Sequence, residues 1–278
     1  MELQALAIDL DGTLLSRDES VSPRNLAAVR AALDAGWQLI IATARWYQLA
    51  EEVADIFGLR GPVIACSGAE VRRLSDGADL FDVRLPLPFA EELYAICDHQ
   101  RCVAWIALDK DVLIKMDGQP APGSLPAGLR HVPSLHEASL GPDGRVPPRI
   151  ALIQGSEVIR RILEELVQDW SRDVRFVQSF SSRGRTNLAL TATGADKGVA
   201  LAVACADLGL LPQQVVAIGD AQNDIEMFRV AGGSFAMGQA DDEVKAAASA
   251  VTAPNDEDGV AQAIERLLAE GRRALEPR

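Results

Sequence analysis

The run from Leu3 to Ile8 is short, aliphatic and unbroken, and it ends on Asp9-Leu10-Asp11-Gly12-Thr13. Such a run is expected of a buried strand in a parallel sheet, and Gly12 then releases the backbone from extended geometry. Residues two apart on a strand point the same way. Asp9 and Asp11 therefore serve one site if the extended geometry lasts that far. Taken alone, the same residues read equally well as a solvated Asp-Gly turn after a core strand, so the rest of the chain must decide.

The pattern after this stretch alternates. Ser22-Pro23 reads as an N-cap and first helical residue, with Leu26, Val29 and Leu33 at helical spacing until Gly36. Trp37 to Ala42 is a second aliphatic strand, ending in Thr43-Ala44-Arg45. Leu49, Val53 and Ile56 mark a helix closed by Gly58, and Pro62 to Cys66 is a third strand running into Ser67-Gly68-Ala69. This alternation predicts an α/β fold built on a doubly wound parallel sheet, in which ligands gather beyond the carboxyl ends of the strands.

Past Ala69 the rhythm changes. Val71 to Val83, with an Asp76-Gly77 turn, reads as a hairpin, and Leu85 to Pro88 as a linker. There follow a helix (Phe89 to His99), two strands around Asp109 to Asp111, a strand (Arg149 to Gln154), a helix (Ser156 to Trp170), and strands near Val174 to Ser179 and Thr186 to Thr191. Clustered antiparallel strands with two helices are an α+β pattern. An inserted domain over 86–189 is therefore expected inside a discontinuous core of 1–85 and 190–278. Gly118 to Pro148 is rich in Pro and Gly, without clear periodicity, and reads as a long loop that has room for a short helix. Alternation returns with a helix from near Asp196, a strand Val215 to Ile218, a helix Asp224 to Val230, a strand Ser234 to Met237 and a helix Gly259 to Leu268. The tail from Arg272 is expected to fray.

The strand Val215 to Ile218 delivers Gly219-Asp220-Ala221-Gln222-Asn223-Asp224, a third apolar strand with acids at its carboxyl end. Carboxylates converging there repel by about 4 kcal/mol per pair at 4 Å and an effective dielectric near 20, so an ionised cluster needs a cation. With oxygen ligands only, that cation is expected to be Mg2+. Such a site suits phosphoryl chemistry in which a carboxylate, here Asp9, is the nucleophile and forms an aspartyl-phosphate. Lys197 and Thr43 are candidates to meet phosphoryl oxygens, although taken alone Lys197 reads as a solvated lysine at a helix start and Thr43 as the end of a strand; Asp11 is placed to act as general acid and base.

Composition narrows the alternatives. A formal net charge of −13, with no Lys/Arg block, repels polyanions, so nucleic acid is not an expected partner. The four cysteines lack C-x-x-C pairing, which favours free buried thiols and a reducing cytoplasm. No apolar run reaches the length of a membrane span, and no basic leader precedes the first strand, so no membrane association is expected. The absence of G-x-G-x-x-G after the first strand sets aside a dinucleotide-binding protein.

These motifs together resemble the haloacid dehalogenase superfamily, specifically Cof-like hydrolases carrying an inserted α+β cap on a Rossmann-like core. D-x-D-G-T matches Asp9 to Thr13, the Thr ending the second strand matches Thr43, the motif lysine matches Lys197 in A-D-K-G, and G-D-x-x-N-D matches Gly219 to Asp224. The resemblance implies Asp9 as nucleophile, Asp11 as acid/base, and Thr43 and Lys197 as phosphate ligands, with Ala44 and Arg45 in the same loop. It implies magnesium held by Asp9, the main-chain carbonyl of Asp11, Asp220 and Asp224, with Asn223 near the phosphate. The usual T-G-R, N-G-A, G-D-S and M-G-N-A read here with Ala44, Ser67, Ala221 and Gln239; the nucleophile, acid, lysine and metal acids are retained, and Ser67, Ala221 and Gln239 are the departures expected to bear on substrate or supporting contacts. In the cap, Arg183 and Arg185 are candidate contacts to a second anionic group. The implied activity is a magnesium-dependent phosphatase of a small phosphorylated metabolite such as a sugar phosphate. A phosphomutase and a low-turnover phosphometabolite-binding regulator are the alternatives.

Overall fold

The structure, a computed structural model, describes residues 2–109, 111–116, 118, 125, 128–141, 144–180 and 185–276. It divides into two compact units, Met1–Phe81 with Asp196–Arg278, and Asp82–Ala195.

The first unit opens with β1 (Ala5–Ile8), α1 (Pro23–Asp34), β2 (Gln38–Ile41), α2 (Tyr47–Ile56), β3 (Pro62–Ala65), β4 (Glu70–Arg73) and β5 (Asp79–Asp82). Helix α1 starts where the sequence places it: the Ser22 side chain accepts the Asn25 N–H at 3.1 Å, and Pro23 occupies the first turn. All four residues of β1 are fully buried, as an aliphatic strand covered on both faces requires.

The second unit carries α3 (Leu87–His99), β6 (Val103–Ala107), β7 (Val112–Lys115), β8 (Leu129–His131), α4 (Leu135–Ala138), β9 (Leu140–Gly141), β10 (Gly144–Arg145), β11 (Ile150–Gln154), α5 (Ser156–Trp170), β12 (Val174–Phe180) and β13 (Thr186–Ala192). Its sheet runs β12, β13, β11, β6, β7, β8, antiparallel except at the β7–β8 pair. Helices α3 and α5 cover one face of that sheet. Phe89, Leu93 and Ile162 pack there with Ile106, Ile153 and Leu190, and Phe89 meets the rings of Trp170 and Phe176 edge-on.

The described part of the stretch from Gly118 to Pro148 includes the short helix for which the sequence left room, α4, and corrects the rest of the long-loop expectation. It holds β8, α4, β9 and β10, elements of two to four residues that are too short to show a hydrophobic period. Side-chain chemistry fixes them instead. Ser134 caps α4 through the Glu137 N–H, and Asp98 accepts from Ser134 Oγ and from the N–H groups of Leu135 and His136.

The chain then returns to the first unit with α6 (Lys197–Asp207), β14 (Val215–Gly219), α7 (Ile225–Val230), β15 (Gly233–Ala236), α8 (Asp242–Ala247), β16 (Ala250–Val251) and α9 (Gly259–Glu270). The main sheet is parallel throughout, in the order β16, β15, β14, β1, β2, and a parallel bridge from Ala42 to Ile64 continues it to β3. Helices α1 and α9 pack together on one face and α6 with α7 on the other, giving the doubly wound, Rossmann-like arrangement that the alternation predicts.

The expected fraying from Arg272 does not hold for the described part of the tail. Residues Gly271–Leu275 form a 3-10 turn, Ala274 is fully buried, and Arg272 donates to the carbonyls of Gly232 and Gln213. The four cysteines are buried free thiols. Among the described residues no helix is long and apolar enough to cross a membrane.

Candidate active site

Register brings three strand ends level. Ile8 pairs with Ile218 on one side and with Ile41 on the other, so Asp9 and, one residue beyond Gly219 and Ala42, Asp220 and Thr43 follow strand ends that lie level. Backbone bonds from Asp9 N to Ile218 O and from Ala42 N to Ile8 O hold that alignment, at 3.0 Å each. This placement of polar residues beyond the carboxyl ends follows from parallel pairing alone.

Lys197 comes from a different layer, as the first residue of α6. Its N–H donates to Glu226 Oε2, and the Asp196 side chain accepts the next two helix N–H groups, from Gly198 and Val199. The helix start is thus satisfied by two carboxylates that also favour its dipole. Neither Glu226 nor Asp196 was assigned a site role in the sequence; an Asp immediately before a helix is the signal for the second, whereas Glu226 acts across elements and left none.

The Lys197 ammonium is fully buried, and it donates to Asp9 Oδ1 at 2.6 Å and Asp224 Oδ1 at 2.7 Å. Burial works against this charge, but Asp224 and Asp9 outweigh it and raise the lysine above its ordinary range. Burial pushes Asp9 upward, Lys197 opposes that, and Asp224 and Asp220 add to it. Asp220 is pushed up to about 6, first by burial and then by Asp224.

Asp224 is also a local scaffold. Its Oδ2 accepts the N–H groups of Asp220 (3.0 Å) and Ala221 (2.9 Å), closing the turn after β14. Gly219 has no side chain because this carboxyl group occupies the place of one: a Cβ there would lie 2.4 Å from Asp224 Cγ. Gly12 is constrained twice, by φ +78° and by Asp220 Oδ2, 2.3 Å from where its Cβ would stand. Thr13 Oγ1 donates to Asp220 Oδ1 at 3.0 Å, joining the first loop to the third.

Carboxylate oxygens of Asp9, Asp220 and Asp224 lie within 4.8 Å of one another. This all-oxygen set fits a hard divalent cation. Asp224 already accepts three protein hydrogen bonds, so Asp9 and Asp220 have the greater remaining capacity. Asn223, in the 3-10 turn Gln222–Asp224, adds a buried Oδ1 with no partner among the described residues, an acceptor in want of a donor or a metal-bound water.

Thr43, two residues past the end of β2, is fully buried, its Oγ1 accepting the Arg45 N–H at 3.1 Å, and half-buried Ala44 lies between them. Asp11 does not join the acid cluster through its side chain. Both its oxygens accept from the Arg45 guanidinium, Oδ2 at 2.8 Å and Oδ1 at 2.5 Å. Arg45, expected beside the phosphate, is thus engaged with the expected acid/base. Arg185 belongs to the second unit, where it donates to Gln154 Oε1 at 3.0 Å, and Arg183 lies outside the described residues.

Of the departures from the usual motifs, Gln239 has a visible task. Its Nε2 donates to the Gly12 carbonyl at 2.5 Å while its Oε1 accepts the Asn255 N–H at 3.1 Å. Ser67 stands at φ +57° with its N–H on the Thr43 carbonyl, joining the ends of the second and third strands.

A family model described as haloacid dehalogenase-like hydrolase matches residues 6–264. The chain is 29% identical over 266 residues, 95% of each chain, to the 5-amino-6-(5-phospho-D-ribitylamino)uracil phosphatase YcsE of Bacillus subtilis. It is 27% identical over 279 residues, 95% of this chain and 98% of the other, to the pyridoxal phosphate phosphatase YbhA of Escherichia coli. Among solved structures, a haloacid dehalogenase-like hydrolase from Bacteroides thetaiotaomicron matches with a TM-score of 0.80 at 26% identity, over 96% of this chain and 100% of that one.

Proposed function

Since this chain belongs to the haloacid dehalogenase-like hydrolases, we propose that it is a magnesium-dependent phosphatase of a small phosphorylated metabolite. The observation that carries the reading is the buried Lys197 ammonium held between Asp9 and Asp224 at the level ends of parallel strands. The relatives named above, phosphatases of a ribitylaminouracil phosphate and of pyridoxal phosphate, support a phosphomonoester as substrate.

Lys197 engages Oδ1 of Asp9, so Oδ2 is the oxygen left to attack phosphorus. The ammonium lowers the cost of bringing a phosphate dianion to this carboxylate, and its rigid seat means no reorganisation accompanies the reaction. Asp9 Oδ2 forms the new bond to phosphorus as the ester P–O bond breaks, and Asp11 donates a proton to the departing oxygen. Asp11 then takes a proton from water as that water attacks the aspartyl-phosphate, releasing phosphate and regenerating Asp9. Thr43 supplies a fixed hydroxyl at the phosphoryl oxygens. Asp9, Asp220 and Asp224, with the Asp11 carbonyl, would hold Mg2+, which when bound supplies positive charge to offset that of the phosphoryl group.

A panel of phosphomonoesters assayed for phosphate release, with and without magnesium, tests this reading. Release that needs magnesium and disappears in Asp9→Asn is expected. Unchanged turnover by Asp9→Asn would overturn the nucleophile, and no release from any ester would overturn the activity.

A further inference from the structure

Arg45 is anchored on both sides of its peptide. Its N–H donates to Thr43 Oγ1, and its carbonyl accepts the Cys66 N–H at 2.8 Å. The side chain is 15% exposed, against 55% for Asp11 and 72% for Glu19, the two acids it faces. The fixed partner is therefore the arginine, and the carboxylates are the groups free to move. Glu19 approaches from the turn Ser16 to Ser20, with Oε2 3.6 Å from Arg45 Nη1 and its own backbone at φ +63°, a conformation rare for a residue other than glycine.

We propose that Arg45 is the positioning residue for Asp11, holding both carboxylate oxygens so that the proton donor keeps one orientation and one distance from the nucleophile loop. The proposal rests on the phosphatase reading above. Two parallel N–H to O bonds fix the plane of a carboxylate as well as its separation, which a single point charge does not. An aspartate as exposed as Asp11 would otherwise exchange rotamers freely. Proton transfer needs the donor within hydrogen-bond reach of the departing oxygen, so in kcat/KM, which covers the steps up to the aspartyl-phosphate, a lost orientation is felt only where the leaving group needs a proton; the later attack by water enters kcat for every ester alike. In that step the Asp11 proton passes to the ester oxygen, which keeps the electron pair of the broken P–O bond. Arg45 stays charged and exchanges nothing.

The test is a leaving-group comparison. Arg45→Ala and Arg45→Lys are assayed by kcat/KM on β-glycerol phosphate, a poor alkyl leaving group, and on p-nitrophenyl phosphate, whose phenolate departs unaided. Loss of orientation predicts a fall of roughly a hundredfold on the alkyl ester and under about threefold on the aryl ester, at the low end of general acid effects. Lysine should not restore the activity, and inorganic phosphate should inhibit with an unchanged constant. In an Asp11→Asn background, Arg45→Ala should cost under about threefold more on the alkyl ester, because Arg45 acts through Asp11. Equal loss on both esters, a weakened phosphate inhibition constant, or full additivity with Asp11→Asn would each overturn the assignment. If the wild-type chain hydrolyses neither ester, the phosphatase reading fails by itself. A double-mutant cycle in urea then decides the pairing: coupling between Arg45→Ala and Asp11→Asn upholds it, and additive effects overturn it.

Discussion

The Lys197 ammonium lies 2.6 Å from Asp9 Oδ1, joining the first residue of a helix to the end of a strand 188 positions earlier in the chain. Since Asp224 sits at 2.7 Å from the same nitrogen, two buried carboxylates share one buried cation. Lys197→Met leaves both without it. Breaking a buried ion pair on one side costs about 3–5 kcal/mol, because the charge left behind has no partner. Urea unfolding should show a loss of that order together with loss of phosphate release. Adding Asp224→Asn to Lys197→Met should recover part of the stability and none of the turnover.

Asp220 gives the metal-free protein a characteristic pH dependence. Its folded pKa, about 6, stands above the ordinary value of 3.8, so the folded state binds the proton more tightly than the unfolded chain. The stability tied to this proton is fully present below about pH 4 and is lost as pH rises through about 6, to a total of about 3 kcal/mol. Protein stripped with a chelator should therefore lose stability across that interval, and Asp220→Asn should flatten the slope. Added magnesium should oppose the loss, since a bound cation favours the ionised carboxylate. An Asp220→Asn profile superimposable on that of the wild type would show that the proton resides elsewhere.

What the sequence disclosed and what it withheld have different physical origins. Leu3 to Ile8 and Val215 to Ile218 are aliphatic because both faces of a parallel strand are covered, and that requirement is written residue by residue. Asp9 and Asp220 were legible for the same reason, as polar residues that end such runs. The strands and short helix after Gly118 were not, because Asp98 and Ser134 fix them by a few side-chain hydrogen bonds without any repeating pattern. The same holds for the Arg45 and Asp11 pair. Arg45 was recognisable as a member of the second loop, but its partner is 34 positions away and depends on how two strand ends meet. Gln239 could be seen as a departure, while its contact with Gly12 spans 227 positions.

In the inserted unit, Arg149 is 1% exposed, and its Nε donates to Asp82 Oδ1 at 2.9 Å. Burial opposes ionisation of Asp82, but hydrogen bonds from Arg84 and Arg149 prevail and hold it below the usual carboxylate range. The stability from this group is present above the ordinary aspartate pKa and is lost as pH falls through the depressed one. Asp82→Ala leaves the buried guanidinium with its backbone acceptors, Leu108 O and Asp109 O, and the more distant Asp109 carboxylate. A loss of about 2 kcal/mol is expected, below the range for a pair broken outright because these contacts remain. Chemical denaturation of the full chain measures it, and Arg149→Met with Asp82→Ala should cost less than the sum of the two single changes.

Gln239 links three segments of the core through its two amide atoms. Nε2 reaches the Gly12 carbonyl and Oε1 the Asn255 N–H, while Asn255 Nδ2 donates to the Leu15 carbonyl at 3.0 Å, so the loop after β1 is tied at both ends. Asparagine is one methylene shorter and cannot span both partners from the same backbone position. Gln239→Asn should therefore lose one of the two bonds and about 1 kcal/mol, and Gln239→Ala both. The functional consequence follows from geometry at Gly12, which packs against Asp220 with no room for a side chain. A looser Gly12 carbonyl lets the Asp9 to Thr13 loop drift from Asp220, so the magnesium concentration giving half-maximal phosphate release should rise more in Gln239→Ala than in Gln239→Asn. A magnesium titration of both variants checks the order, and equal midpoints in all three proteins would confine Gln239 to stability.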